Sequence, residues 1–342
     1  MWIADGWRDY EVLDTSGGEK LERWGKYILV RPDPQVIWNT PHDAPEWKRK
    51  NAHYHRSSKG GGQWEFFDLP EQWDIGYELG AASKGAEKEI GQSSLRFHLK
   101  PFQFKHTGLF PEQAVNWEWM AERIRESGKA VIPTGGASAG ASGTTDPFKD
   151  ASRFRVLNLF AYTGGATVAC AAAGAAVTHV DAAKGMVAWA KENAAASGLA
   201  EAPIRYLVDD CVKFVEREIR RGNRYDGIVM DPPSYGRGPK GEIWKIEEKV
   251  YELIVLCSQI LAEDARFFLI NSYTTGLQPA VLKYMLDTVI TPRFGGQVEA
   301  DEIGLPVKYA SLPSFEGTGS QDAGKRPKMV LPCGASGRWS RE

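Results

Sequence analysis

The chain has 342 residues, with 42 basic and 44 acidic side chains and a formal net charge of −2. That near-balance gives no global attraction to nucleic acid or to an anionic membrane, so any polyanion has to be met by a local patch. No stretch is long and apolar enough to span a bilayer, and residues 1–10 lack the basic-then-apolar order of a signal peptide. The expectation is a cytoplasmic enzyme with one large domain and a smaller appendage.

Residues 1–95 are rich in Trp, Gly and Pro and show little helical periodicity. Residues 26–31 and 63–67 read as short strands of a small β-rich domain. Within it Trp47, Lys48, Arg49 and Lys50, continuing through His53, Tyr54, His55, Arg56 and Lys59, mix cations with aromatics. Such a mixture suits phosphates and unstacked bases, and a solvated charged loop reads the same way. Residues 94–100 alternate cleanly, as a hairpin arm leading into a second domain over 96–342. Residues 111–127 read as a helix with proline near its start. Residues 134–146 are almost wholly Gly, Ala, Ser and Thr, the composition of a flexible connection.

From residue 155 the chain alternates strand and helix. A first strand, 155–160, runs into Ala161-Tyr162-Thr163-Gly164-Gly165 and an Ala-rich helix. Paired glycines there allow a tight turn and a close ligand approach. A second strand, 176–181, ends in Asp181, seventeen residues beyond Gly164. A carboxylate at that point can accept hydrogen bonds from both hydroxyls of a ribose, or cap the helix that follows over 184–197. The glycines do not form G-x-G-x-x-G, and no third glycine follows to cradle a pyrophosphate. A nucleoside ligand without phosphates is therefore favoured over NAD or FAD.

A third strand, 204–208, leads to Asp209 and Asp210, and a fourth, 225–230, leads to Asp231-Pro232-Pro233-Ser234-Tyr235. Open α/β sheets place ligands at the carboxyl ends of such strands. Two consecutive prolines stiffen the loop and aim the Asp231 carboxylate and the neighbouring carbonyls at a fixed point. Acceptors held that way suit an N–H group that gains charge as its nitrogen is alkylated. An ordinary proline-bearing turn has the same sequence. A fifth strand, 267–270, and strands near 298–303 and 328–331 complete an α/β sheet. Of the four cysteines, 170, 211 and 257 fall in predicted helices and read as core. Cys333 reads as a turn residue or a nucleophile, and no metal-ligand or redox spacing is present, so no metal is expected.

In order and spacing, residues 157–167, Asp181, Asn193, Asp210 and Asp231–Ser234 resemble the class I S-adenosylmethionine-dependent methyltransferases. The run 158–168, the segment 108–113 and the loop 231–236 resemble most closely the bacterial large-subunit rRNA methyltransferases acting at cytosine C5 or guanine N7 and their relatives. The resemblance implies a Rossmann-like seven-stranded sheet, S-adenosylmethionine as cofactor and RNA, rRNA foremost, as substrate. It places Gly164 and Gly165 beneath the cofactor's amino-acid end, with Thr163 and Ala161 beside it. Asp181 would hold the ribose, and Asp210 the adenine amine, with Asp209 competing. Gln113 would come from a segment folded over the cofactor, or be an exposed helix-start residue. Asp231, Pro232, Pro233 and Ser234 would meet the methyl acceptor, with Tyr235 stacking on a flipped base. Cytosine-C5 members carry a cysteine just beyond the fifth strand, whereas Asn271-Ser272-Tyr273-Thr274 stands here. That departure points to a nitrogen acceptor, with oxygen as the alternative. The rivals are methylation of a protein side chain or small metabolite, and a catalytically idle cofactor-binding protein.

Overall fold

Continuous apolar runs such as Gly227–Met230 and 267–270 have no polar face to offer water, so they form strands covered by helices on both sides. A computed structural model of the chain describes residues 1–57, 60–80, 93–102, 104–129, 146–237, 243–309 and 329–342. The N-terminal strands are β1 (Trp2–Ile3), β2 (Tyr10–Ser16), β3 (Glu19–Trp24), β4 (Tyr27–Pro32), β5 (Ala52–Arg56) and β6 (Gly62–Phe66). The hairpin β7 (Trp73–Leu79) and β8 (Ser93–Leu99) follows, then helix α1 (Ala114–Glu126).

The alternating half comprises β9 (Arg155–Leu159), α2 (Gly165–Ala172), β10 (Ala176–Asp181), α3 (Lys184–Ala196), β11 (Ile204–Val208), α4 (Cys211–Arg221) and β12 (Gly227–Met230). A short hairpin, β13 (Tyr235–Arg237) and β14 (Ile243–Lys245), precedes α5 (Ile246–Ser258) and β15 (Phe267–Ser272). Helices α6 (Pro279–Val289) and α7 (Thr291–Phe294) lead to the long antiparallel pair β16 (Gln297–Val307) and β17 (Met329–Ser340).

The sheet runs β11-β10-β9-β12-β15-β17-β16, parallel from β11 through β15 and antiparallel at β17. These are the seven strands expected. The order reverses between β9 and β12, which opens a crevice at their carboxyl ends. One apolar cluster on the sheet joins α1 and α2 to the β7–β8 hairpin, and a second joins α4, α5 and α6.

The strand-rich N-terminal region continues the same sheet. Val12 of β2 pairs with Val307 of β16, and β3, β4, β5 and β6 extend outward from β2. The division expected at residues 95/96 falls inside β8, whose hairpin packs on α2 and α3. Two local expectations are corrected. Cys333 lies within β17, not in a turn, and that strand runs well past residue 331. The basic patch loses its expected aromatics to the core: Trp47 donates Nε1–H to Asp14 Oδ2 at 2.8 Å, and Tyr54 is buried. Lys48, Arg49 and Arg56 are exposed, while Lys59 lies outside the described residues, as do 134–145 of the expected connection.

Candidate active site

The backbone leaving β9 is strained. Phe160 (φ 54°) and Tyr162 (φ 50°) both occupy the left-handed region, and Gly164 (φ 83°) follows. Two bulky non-glycine residues there cost about 1–3 kcal/mol each, and such strain clusters at ligand sites. The turn is held by Ala161 N donating to Val180 O at 3.1 Å and Gly164 N donating to Ala161 O at 3.0 Å. The glycines answer to packing more than to ligand approach. A Cβ on Gly164 would lie 2.8 Å from Ala190 Cβ on α3, and one on Gly165 would lie 2.7 Å from Trp117 Cζ2 on α1. Thr163 is buried, donates its hydroxyl to Gly108 O, and receives Asn193 Nδ2 on its carbonyl at 2.9 Å.

Around this turn opens a cleft of about 440 Å³, within the range of small-molecule sites. Asp181, Asp210, Asp231, Pro232, Pro233 and Ser234 all line it. A narrower inner recess of about 50 Å³ is lined by Gln113, Ala161, Thr163 and Gly165, and Asp231 borders both spaces. Asp181 accepts Tyr162 N on Oδ2 and Ala183 N on Oδ1, each at 2.8 Å. Burial pushes its carboxyl up, against the lowering effect of those two bonds. It is not the cap of α3, whose N-cap is Ala183. Asp210 does cap α4, with Oδ1 accepting Lys213 N at 2.9 Å. Its rival Asp209 is engaged by Arg217 and does not line the cleft.

Asp231 is the most perturbed carboxyl of the cleft. Burial, with the neighbouring Glu112 carboxylate adding to it, holds its pKa up at about 7. Glu112 is itself buried and raised, chiefly by desolvation. Tyr273 hydrogen-bonds Glu112 and receives Gln113 Nε2 on its hydroxyl at 2.7 Å. Gln113 Oε1 accepts Asn116 Nδ2 at 2.8 Å and Asn271 Nδ2 at 3.1 Å. Gln113 is thus a buried tie between the 108–113 segment and the end of β15, not an exposed helix-start residue.

The proline loop is fastened on both sides. Ser234 Oγ lies 2.6 Å from Thr274 Oγ1, and Trp244 Nε1 donates to the Pro233 carbonyl at 2.7 Å. The Pro233 acceptor expected to face a ligand is therefore occupied, because the β13–β14 hairpin folds back over the loop. Tyr235 pairs with Lys245 and Gly236 with Trp244. Adjacent pairs face opposite sides, so Gly236 and Trp244 line the cleft while Tyr235 stands 51% exposed outside its wall. Trp244, Phe110, Phe160, Tyr162 and Tyr273 supply the aromatic lining instead. The sequence did not single them out, since an aromatic near a loop carries no period to mark it. His106 also lines the wall, and burial beside Arg31 and Lys105 drops its pKa to about 3, keeping it neutral. No cysteine stands just beyond β15, where Tyr273 and Thr274 follow. Cys333 lies in a separate groove behind Tyr273, and burial pushes its thiol up.

Comparison with known proteins accounts for this arrangement. Residues 143–265 match the model of a family described as S-adenosylmethionine-dependent methyltransferase. The crystal structure of a SAM-dependent methyltransferase from Agrobacterium tumefaciens superposes with a TM-score of 0.77 at 31% identity, covering 99% of this chain and 93% of that one. The chain belongs to the S-adenosylmethionine-dependent methyltransferases. The fold is shared by the methyltransferase SMU.776, crystallised with SAH, at a TM-score of 0.62 and 18% identity, covering 98% of this chain and 76% of that one.

Among curated proteins, the ribosomal RNA large subunit methyltransferase K/L of Shewanella sp. (strain MR-4) is 29% identical over 168 residues, 48% of this chain and 22% of that protein. Its counterpart from Pseudoalteromonas atlantica is 27% identical over 254 residues, 70% of this chain and 30% of that protein. This methyltransferase thus spans less than a third of the length of those relatives. S-adenosylmethionine is its cofactor, and the cleft suits a sulfonium nucleoside. It sets half-buried carboxylates and aromatic faces against a cation and offers acceptors for hydroxyl and amine hydrogens. Among the described residues no helix is long and apolar enough to cross a membrane.

Proposed function

We propose that the methyltransferase methylates a base nitrogen in RNA, ribosomal RNA foremost. The observation that carries this reading is Asp231: a carboxylate on a doubly pinned proline loop, facing a cleft with no cysteine just beyond β15, whose lining thiol, Cys211, accepts Phe160 N and is pushed up by burial. That the curated relatives are ribosomal RNA methyltransferases supports RNA as the substrate class. An RNA substrate in turn puts the enzyme in the cytoplasm, with the ribosomes.

In this reading the remaining lone pairs of Asp181 accept the ribose hydroxyls, and Asp210 Oδ2, on the carboxylate whose Oδ1 caps α4, takes the adenine amine. Ala161, Thr163, Gly164 and Gly165 form the backbone turn beside the cofactor's amino-acid end, which Gln113 closes from above. When bound, the cofactor supplies a methyl group on a sulfur that is already positively charged, so alignment is worth more than acid–base work. Asp231 and the Pro232 carbonyl orient the acceptor N–H and stabilise the positive charge that develops on it. Ser234 keeps the loop in register through Thr274, and Trp244, more than Tyr235, offers the ring on which a flipped base stacks. Lys48, Arg49 and Arg56 meet phosphates at the edge of the N-terminal strands.

The test is transfer of labelled methyl from S-adenosylmethionine into fractionated lysate of a strain lacking the gene. Label in large rRNA, mapped by mass to a nitrogen-methylated base, is the expected result. Label confined to protein or small molecules would overturn the assignment in favour of those substrates.

A further inference from the structure

The outer strands of the sheet hold a second group of ligating side chains that the catalytic cleft does not use. Along β5, Ala52 and Tyr54 point into the core, and His53 and His55 therefore share the opposite face. Glu65 stands directly across from His53 on β6. One nitrogen from each ring and one Glu65 oxygen all lie within 4.8 Å of one another, and the two rings are 3.9 Å apart between centroids. His55 Nε2 is 2.8 Å from Glu65 Oε2. From β3, Glu19 brings a second carboxylate, with Oε1 2.6 Å from His53 Nε2.

Two imidazoles and two carboxylates on three strands form the nitrogen–oxygen donor set that borderline divalent cations prefer. Tetrahedral zinc, about 2.0–2.1 Å from each ligand, separates its donors by about 3.3 Å. Among His53, His55 and Glu65 the separations run from 2.8 Å to the 4.8 Å limit, so small side-chain rotations reach that spacing without moving a strand, and Glu19 stands beside His53. We propose that His53, His55 and Glu65, with Glu19 beside them, bind one divalent first-row transition cation of the zinc type. The site ties β6, the edge strand, to β5, and through Glu19 to β3. An edge strand presents unpaired backbone to other chains, and a metal clasp holds it in its own sheet. Without a metal the same residues make two separate His–carboxylate pairs, which is the alternative outcome.

The test uses the full chain without a histidine tag, freed of metal by chelator and titrated with zinc chloride by calorimetry. At about pH 7.5 one equivalent should bind with a dissociation constant of about 1 μM or tighter. Glu65→Gln alone should weaken binding about tenfold or more, and His53→Gln/His55→Gln should abolish it. Zinc should raise the melting temperature of the wild type and leave that of the double variant unchanged. Absence of stoichiometric zinc in the wild type would overturn the proposal, and so would equal affinity in the Glu65→Gln variant. Because the wild-type titration and the single surface substitution each decide the question, a double variant that fails to fold does not protect it.

Discussion

Replacing Asp231 by Asn should stabilise the methyltransferase while removing its activity, and the stabilisation should depend on pH. Asp231 ionises near 7 in the folded chain, against an ordinary carboxyl value of 3.8. Because the folded value is raised, its contribution to stability is fully present below about pH 4 and is lost as pH rises through about 7. At 1.36 kcal/mol per unit the full shift corresponds to about 4 kcal/mol. The side chain is only half-buried by solvent exposure, which argues for about 2–3 kcal/mol. Asparagine keeps the shape and never ionises, so it avoids that cost. Melting temperatures measured from about pH 4.5 to 8.5 should therefore diverge, with the variant higher by about 5 °C at the alkaline end and nearly equal at the acid end. A gap that stays constant across the range would refute the burial argument. In the wild type kcat/KM should rise as pH increases through about 7, since the carboxylate is the accepting form.

Asp181→Ala should weaken S-adenosylmethionine binding by about ten- to a hundredfold in calorimetry. It should also cost about 1–2 kcal/mol of stability, because the N–H groups of Tyr162 and Ala183 lose their acceptor. Unchanged affinity would remove Asp181 from the cofactor site. RNA carrying 5-fluorocytosine should form no covalent adduct, and Ser272→Ala should be mild beside Asp231→Ala; a trapped adduct on a denaturing gel contradicts nitrogen chemistry. Reversing the charge of Lys48, Arg49 and Arg56 should lower RNA affinity and reduce its salt slope by about 2–3, with cofactor affinity unchanged. An unaltered slope would place the RNA elsewhere on the surface.

The parts of the molecule governed by local rules were legible in the sequence. Strands β9 to β12 and β15 announce themselves as apolar runs, and the acids at their ends fall where an open α/β sheet puts its ligands. Strand β17 was only partly legible. Its run Pro332-Cys333-Gly334-Ala335-Ser336-Gly337 looks like a turn, yet the small residues lie beneath α6, where a Cβ on Gly337 would already meet Leu282 at 3.1 Å. The aromatic lining was hidden for a different reason. Trp244 reaches the cleft only because a three-residue hairpin folds over the proline loop, and Phe160 and Tyr162 only because the backbone accepts positive φ. The His53–Glu65 pairing was equally invisible, since twelve residues of sequence separate partners that the β5–β6 register makes neighbours.

The charge balance of the cleft bears on turnover as well as on binding. Asp181 and Asp231 are both raised by desolvation, and Glu112 stands buried behind Asp231. Such a site holds a cation better than a neutral molecule of the same shape, because the cation offsets what burial costs the acids. The cofactor enters as a sulfonium and leaves as a neutral thioether, so in the proposed site the cleft should bind the spent form less well and help release it. Binding the sulfonium should also lower the Asp231 pKa and expel a fraction of a proton near pH 7, whereas the thioether should not. Calorimetry in buffers of different ionisation enthalpy measures that proton directly, and Asp231→Asn should erase the difference between the two ligands. Equal proton release for both would mean that Asp231 does not sense the sulfur's charge. It would then be an anchor of the proline loop, and the acceptor N–H would need another partner.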